Sequence, residues 1–202
     1  MSNESVQKVF LAITDISGYT QFMVSSDIEV KHSQYIISQL IESIIQQIKI
    51  PLQISKLEGD AVFLYANKNN DQYTCEEVRK EIGGKLMQFF SAFHDKLHEI
   101  KQTKQCACGA CSHIDALKLK IVVHCGEAFF YQINQFNELS GKDVILIHRL
   151  LKNSVPEDEY ILMTEAAYSD IKFPVQIKVQ EGMENYEHIG KVKTLTYCYQ
   201  PS

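Results

Sequence analysis

No apolar run in these 202 residues approaches the ~20 that a membrane span needs, so no membrane partner is expected. A basic patch is missing too. The 20 Lys and Arg are scattered among 25 Asp and Glu, and the net charge of −5 with a pI near 5.8 argues against a nucleic-acid binder. The opening Met1-Ser2-Asn3-Glu4-Ser5 lacks the basic and apolar regions of a secretory leader, and a cytoplasmic location is expected. In that compartment the six cysteines are expected as core thiols or metal ligands rather than disulfides. Internal repeats and low-complexity linkers are also absent. What remains is one expected domain over residues 1–202, whose 45% hydrophobic content suffices for a core of its own.

Strand and helix periodicities alternate along the chain. Lys8–Thr14 is a continuous apolar strand, and residues 28–48 carry Ile36, Ile37, Leu40, Ile41, Ile44, Ile45 and Ile48 at helical spacing before Pro51. Leu52–Tyr65 predicts a hairpin turning at Glu58-Gly59. Glu76–Ile100 predicts a long amphipathic helix with Leu86, Phe89, Phe90, Phe93 and Leu97 on one face. A hairpin is expected near Ala116–Ile133 and a helix over Gly141–Lys152. The tail predicts strands at Glu159–Met163, Val175–Val179 and Val192–Tyr199 around a helix at Glu165–Ile171. The order β-α-β-β-α-β within this list is the ferredoxin-like arrangement, so an α+β fold with a C-terminal extension is expected.

Two segments place an aspartate where an apolar strand meets a glycine: Ile13-Thr14-Asp15-Ile16-Ser17-Gly18-Tyr19-Thr20 and Lys56-Leu57-Glu58-Gly59-Asp60. An acid there is costly to desolvate unless a cation or hydrogen-bond donors face it, which points to joint ligation of one charge. Helix capping by Asp15 and a turn role for Asp60 are the bland alternatives. Two further segments are Ile121-Val122-Val123-His124-Cys125-Gly126 and Gly141-Lys142-Asp143-Val144-Ile145, the latter leading to Arg149.

In this order the four segments resemble the catalytic core of the class III adenylyl and guanylyl cyclases, over roughly residues 8–153. The chain is also similar to cyclase-like bacterial domains of unknown function that carry a cysteine-containing variant. The resemblance implies a nucleotide-cyclase fold and a homodimer with a split active site. Asp15, Asp60 and the backbone carbonyl of Ile16 would hold Mg2+ or Mn2+. Lys56 and Glu138 fall at the base-specifying positions, where a lysine that donates to adenine N1 favours ATP over GTP; a solvated strand-end lysine is the alternative for Lys56. Arg149 falls at the position of a catalytic arginine that reaches across the dimer to the α-phosphate. Ile145 stands where the family has an asparagine, and isoleucine can neither donate nor accept a hydrogen bond. One positioning interaction worth about 2–4 kcal/mol of barrier would thus be missing. Lys191 and Lys193 loosely resemble a triphosphate-contacting loop, or form an ordinary charged turn. The implied function is slow formation of cyclic AMP in signalling. A catalytically silent nucleotide-binding or regulatory module is the alternative.

Cys106-Ala107-Cys108-Gly109-Ala110-Cys111-Ser112-His113 lies outside that pattern. Three thiols and an imidazole this close suit a tetrahedral Zn2+ through Cys106, Cys108, Cys111 and His113, but free thiols or a redox-responsive cluster fit the spacing too. A metal or redox sensor on a borrowed scaffold is therefore a third expectation. Cys75, Cys125 and Cys198 predict core or strand thiols, and His124 predicts a satisfied core histidine.

Overall fold

The computed structural model describes residues 4–25, 30–68, 72–103 and 108–200. Strand β1 (Ser5–Ser17) runs into the short helix α1 (Tyr19–Ser25), and helix α2 (Val30–Ile45) follows. Strands β2 (Gln53–Glu58) and β3 (Ala61–Asn67) form the expected hairpin, with Gly59 at φ +67° and Asp60 between them. The long helix α3 (Cys75–Thr103) begins at a reciprocal cap. Thr74 N–H donates to Glu77 Oε2 at 2.8 Å, and Glu77 N–H donates back to Thr74 Oγ1 at 3.3 Å. After helix α4 (Gly109–His113) and a 3-10 turn at Ile114–Ala116 come strands β4 (Lys118–Ile133) and β5 (Phe136–Ser140), then helix α5 (Lys142–Leu150). The tail consists of β6 (Tyr160–Thr164), helix α6 (Glu165–Asp170), β7 (Gln180–Tyr186) and β8 (Gly190–Cys198).

Among the described residues eight strands form one sheet in the order β2-β3-β1-β4-β6-β8-β7, with β5 paired to β4. The first four pair antiparallel with one another, in ferredoxin-like order, and the parallel β4–β6 pairing attaches the C-terminal extension. Alternate residues of β1 serve opposite faces. Phe10, Ala12 and Ile16 face α2 and α3, against Ile36, Leu40, Leu86, Phe89 and Phe93. Val9, Leu11 and Ile13 face α5, against Val144, Ile147 and Leu150. Both faces are covered, which explains the unbroken apolar run from Val9 to Ile13.

Several sequence expectations are corrected here. The segment Ala116–Ile133 is no hairpin: β4 runs unbroken through it and turns only at Asn134, at φ +52°. Gly126 lies within this strand, where a Cβ would lie 2.2 Å from Asp143 Oδ2 on α5. Val175–Val179 forms no strand. Ile177 and Val179 pack on the core, while β7, three-quarters polar or glycine at its start, takes the free edge of β8. The helix read over residues 28–48 is described only from Val30 and ends at Ile45, and α1 precedes it.

Candidate functional site

The strand register assembles the charged centre. Asp15 lies opposite Lys120 on β4, and Lys120 lies opposite Tyr160 on β6, all on the α5 face of the sheet. Lys120 Nζ bonds Asp15 Oδ2 at 2.8 Å, both side chains being mostly buried. Asp60 approaches from the β2–β3 tip. Burial and the neighbouring Asp15 charge push its carboxyl up to about 6, while backbone N–H groups of Asp60 and Ile16, and the Lys120 ammonium, act the other way. Burial opposes the Lys120 charge, but the Asp15 hydrogen bond and charge prevail and hold the ammonium above its usual pKa. Asp15 and Asp60 thus act on one another, with the Ile16 main chain beside them. Lys120 is the member of this group that sequence reasoning missed. Its one signal is a charge interrupting the apolar run Leu119–Val123.

These residues offer hard oxygen donors, two carboxylates and a main-chain carbonyl, which fit Mg2+ or Mn2+ better than a soft metal. A carboxyl raised by burial and by its carboxylate neighbour is also a place where added positive charge is stabilising. The fit to a divalent cation is therefore good, with Lys120 already supplying one positive charge at Asp15.

Lys56 on β2 and Glu138 on β5 come together: Lys56 Nζ lies 2.5 Å from Glu138 Oε2, and that bond raises the pKa of the ammonium. They line an open cleft of about 680 Å³ with Tyr65, Phe130, Phe136 and Leu139. Asp15 and Asp60 are outside its lining, although Asp60 and Lys56 share one hairpin. On α5, Ile145 and Arg149 sit one helical turn apart on the exposed side, and Arg149 makes no ion pair among the described residues. The Lys191 and Lys193 side chains belong to β8, separated from β1 by β4 and β6. Lys193 instead faces Glu165 Oε1 at 3.4 Å.

In the cysteine segment, Cys108 and Cys111 are brought to His32 of α2, and the three ligand atoms lie within 4.8 Å of one another. His113, the imidazole that the spacing predicts, is exposed at the end of α4 and outside this group. Cys106 lies outside the described residues. The imidazole that reaches this pair comes from α2: His32 Nδ1 lies 3.3 Å from Cys108 Sγ. His124 is 7% exposed, with Nδ1 on Thr164 Oγ1 at 2.9 Å and Nε2 3.3 Å from Asp143 Oδ1 without hydrogen-bond alignment. Burial lowers its pKa, against the pull of Asp143. Cys125 is a core thiol pushed up to about 12 by burial, Cys75 opens α3, and Cys198 lies on β8.

Residues 37–160 match the family described as "Protein of unknown function (DUF2652)". The "Uncharacterized protein Rv2561/Rv2562" of Mycobacterium tuberculosis is 34% identical over 158 residues, spanning 78% of this chain and 70% of that one. Among solved structures, the guanylyl cyclase Cya2 superposes with a TM-score of 0.70 at 13% identity, covering 100% of this chain and 97% of that one. A bacterial light-regulated adenylyl cyclase gives 0.70 at 13% identity, covering 96% of this chain and 52% of its own. The adenylyl cyclase CyaB from P. aeruginosa gives 0.66 at 13% identity, covering 98% and 97%. At such identities the likeness establishes the fold of the class III cyclase catalytic domains. No helix among the described residues is long and apolar enough to cross a membrane.

Proposed function

The chain belongs to the DUF2652 family, and from that premise, joined to its cyclase fold, we propose that it binds a nucleoside triphosphate, ATP in preference to GTP, with Mg2+ or Mn2+. The observation that carries this is the convergence of Asp15 and Asp60, one on a central strand and one on a hairpin tip, into a single electrostatic unit. Asp15, Asp60 and the Ile16 carbonyl hold the cation. When bound, it lowers the pKa of a ribose hydroxyl and neutralises charge that develops at phosphate. Lys120 orients Asp15 through their 2.8 Å ion pair. Lys56 and Glu138 face one another in the cleft and present a donor and an acceptor to the edge of adenine. Arg149 serves the active site of the partner subunit in a two-fold dimer. The exposed apolar side chains of Leu57, Phe136 and Ile145 lie around that face and supply its contact surface. The reaction is slow cyclisation to cyclic AMP in a signalling role.

A second reading, a silent nucleotide-binding module, is favoured by Ile145. It is 55% exposed on the same helix face as Arg149 and has no polar atom with which to position ribose. Calorimetry with ATP and Mn2+, with GTP as comparison, and a cyclic-nucleotide assay separate the two. Binding with product supports the enzyme, and binding without product supports the module. Asp15→Ala should abolish metal-dependent binding in either case. Failure of the wild type to bind either nucleotide would overturn both.

A further inference from the structure

The geometry points to a second metal centre, a Zn2+ site held by His32, Cys108 and Cys111, remote in chemistry from the carboxylate pair. His32 Nδ1 lies 3.3 Å from Cys108 Sγ, and Cys111 Sγ completes a group whose atoms all lie within 4.8 Å. A tetrahedron with zinc–sulfur bonds of about 2.3 Å and zinc–nitrogen bonds of about 2.0 Å has edges of about 3.5–3.8 Å, so the three donors need little movement to share one ion. Thiolate and imidazole are soft and borderline donors, which select zinc over the Mg2+ or Mn2+ suited to Asp15 and Asp60.

The local backbone is arranged for this. Cys108 caps α4 with its sulfur, which accepts the Cys111 N–H at 3.4 Å, a contact that fixes the sulfur's direction as outer-shell bonds do in metal sites. The two cysteines are separated by the two-residue spacing common in zinc sites. Cys111 is 2% exposed, so the site is largely closed to solvent on that side. His32 is 76 residues from Cys108, and the ion would clasp the start of α2 to the segment that enters β4. The contact of α4 with α1, the helix that follows Asp15 and Ile16, ties the clasp to the same end of β1. The role is structural: to hold the α1–α2 region against α4.

The test uses the full-length chain expressed in zinc-containing medium. Elemental analysis should find about one zinc per chain. Replacement by Co2+ should give the visible absorption of a tetrahedral thiolate site, and chelation should lower the melting temperature. C108S, C111S and H32A should each lower zinc occupancy at least about tenfold, in the range expected when a ligand is lost, whereas D15N should retain it. Wild-type protein that carries no zinc and shows no tetrahedral cobalt spectrum would overturn the site, independently of whether any variant folds. Zinc lost in D15N but kept in C108S would place the ion at the carboxylates and also overturn it. Unchanged occupancy and cobalt spectrum in H32A would remove His32 from the ligand set and refute the proposal as stated. None of these readouts depends on nucleotide binding.

Discussion

Asp60 is a carboxyl whose ionisation the metal-free fold opposes, since its pKa is raised from 3.8 to about 6 by burial and by Asp15. The sign of the consequence is definite. A group with a raised folded pKa contributes stability below its unfolded pKa and loses it as pH rises through the folded value, here between about 4 and about 6. D60N cannot ionise, so its melting temperature relative to wild type should rise as pH goes from about 5 to about 7.5 in chelator. A constant difference across that range would contradict the assignment. Mn2+ needs the carboxylate, so its affinity for wild type should fall as pH drops below about 6. His124 runs the other way: its pKa is lowered by burial, so protonation on acidification costs stability, and that loss should be blunted in H124Q on thermal melts at decreasing pH.

At the scale of elements, the junction of β4 and α5 depends on a glycine. Asp143 Oδ2 accepts the Glu127 N–H at 2.7 Å while its side chain lies against Gly126. A Cβ at Gly126 would come within 2.7 Å of three Asp143 side-chain atoms, including Asp143 Cβ, so α5 must move rather than one flexible tip. G126A should cost about 1–3 kcal/mol in urea unfolding, from overpacking and the lost hydrogen bond, and full retention of stability would show that α5 yields freely. The same junction carries Ile145 and Arg149. Its displacement should therefore also weaken any assembly that uses the exposed side of α5.

For the whole molecule, the sheet leaves exposed apolar residues on three separate elements, with Leu57 at 59%, Phe136 at 58% and Ile145 at 55% exposure. Scattered single exposures are ordinary, but these flank the cleft and the Arg149 face, where the proposed dimer would meet. Light scattering at micromolar concentration should give a dimer, and L57E with F136E should give a folded monomer by circular dichroism. A wild-type monomer unaffected by ATP and Mn2+ would refute the split site. If chemistry proceeds with Arg149 alone, I145N should raise turnover with little change in fold or metal affinity, because the added amide acts mainly in the transition state.

Much of the core was legible because it is written in local periodicity. The apolar β1, the Ile/Leu face of α2 and the Phe face of α3 repeat at strand or helix spacing, and the Gly59-Asp60 turn needs only its neighbours. Asp15 and Asp60 could be singled out for the same reason, each being an acid ending an apolar word. The partners of these residues could not. Lys120 reaches Asp15 only through the β1–β4 register, Lys56 meets Glu138 only because β2 and β5 approach across the sheet, and His32 meets Cys108 and Cys111 across 76 residues of intervening chain. The packing role of Gly126 left no trace in the sequence, because its neighbour Asp143 lies on another element. The sequence by itself determined the apolar β1, the buried faces of α2 and α3 and the acid-bearing turn at Gly59-Asp60, since those depend on the backbone and the nearest side chains. The tertiary structure alone decided which charges and ligands face one another, since cross-strand register and helix packing bring together atoms whose separation along the chain leaves no periodic trace.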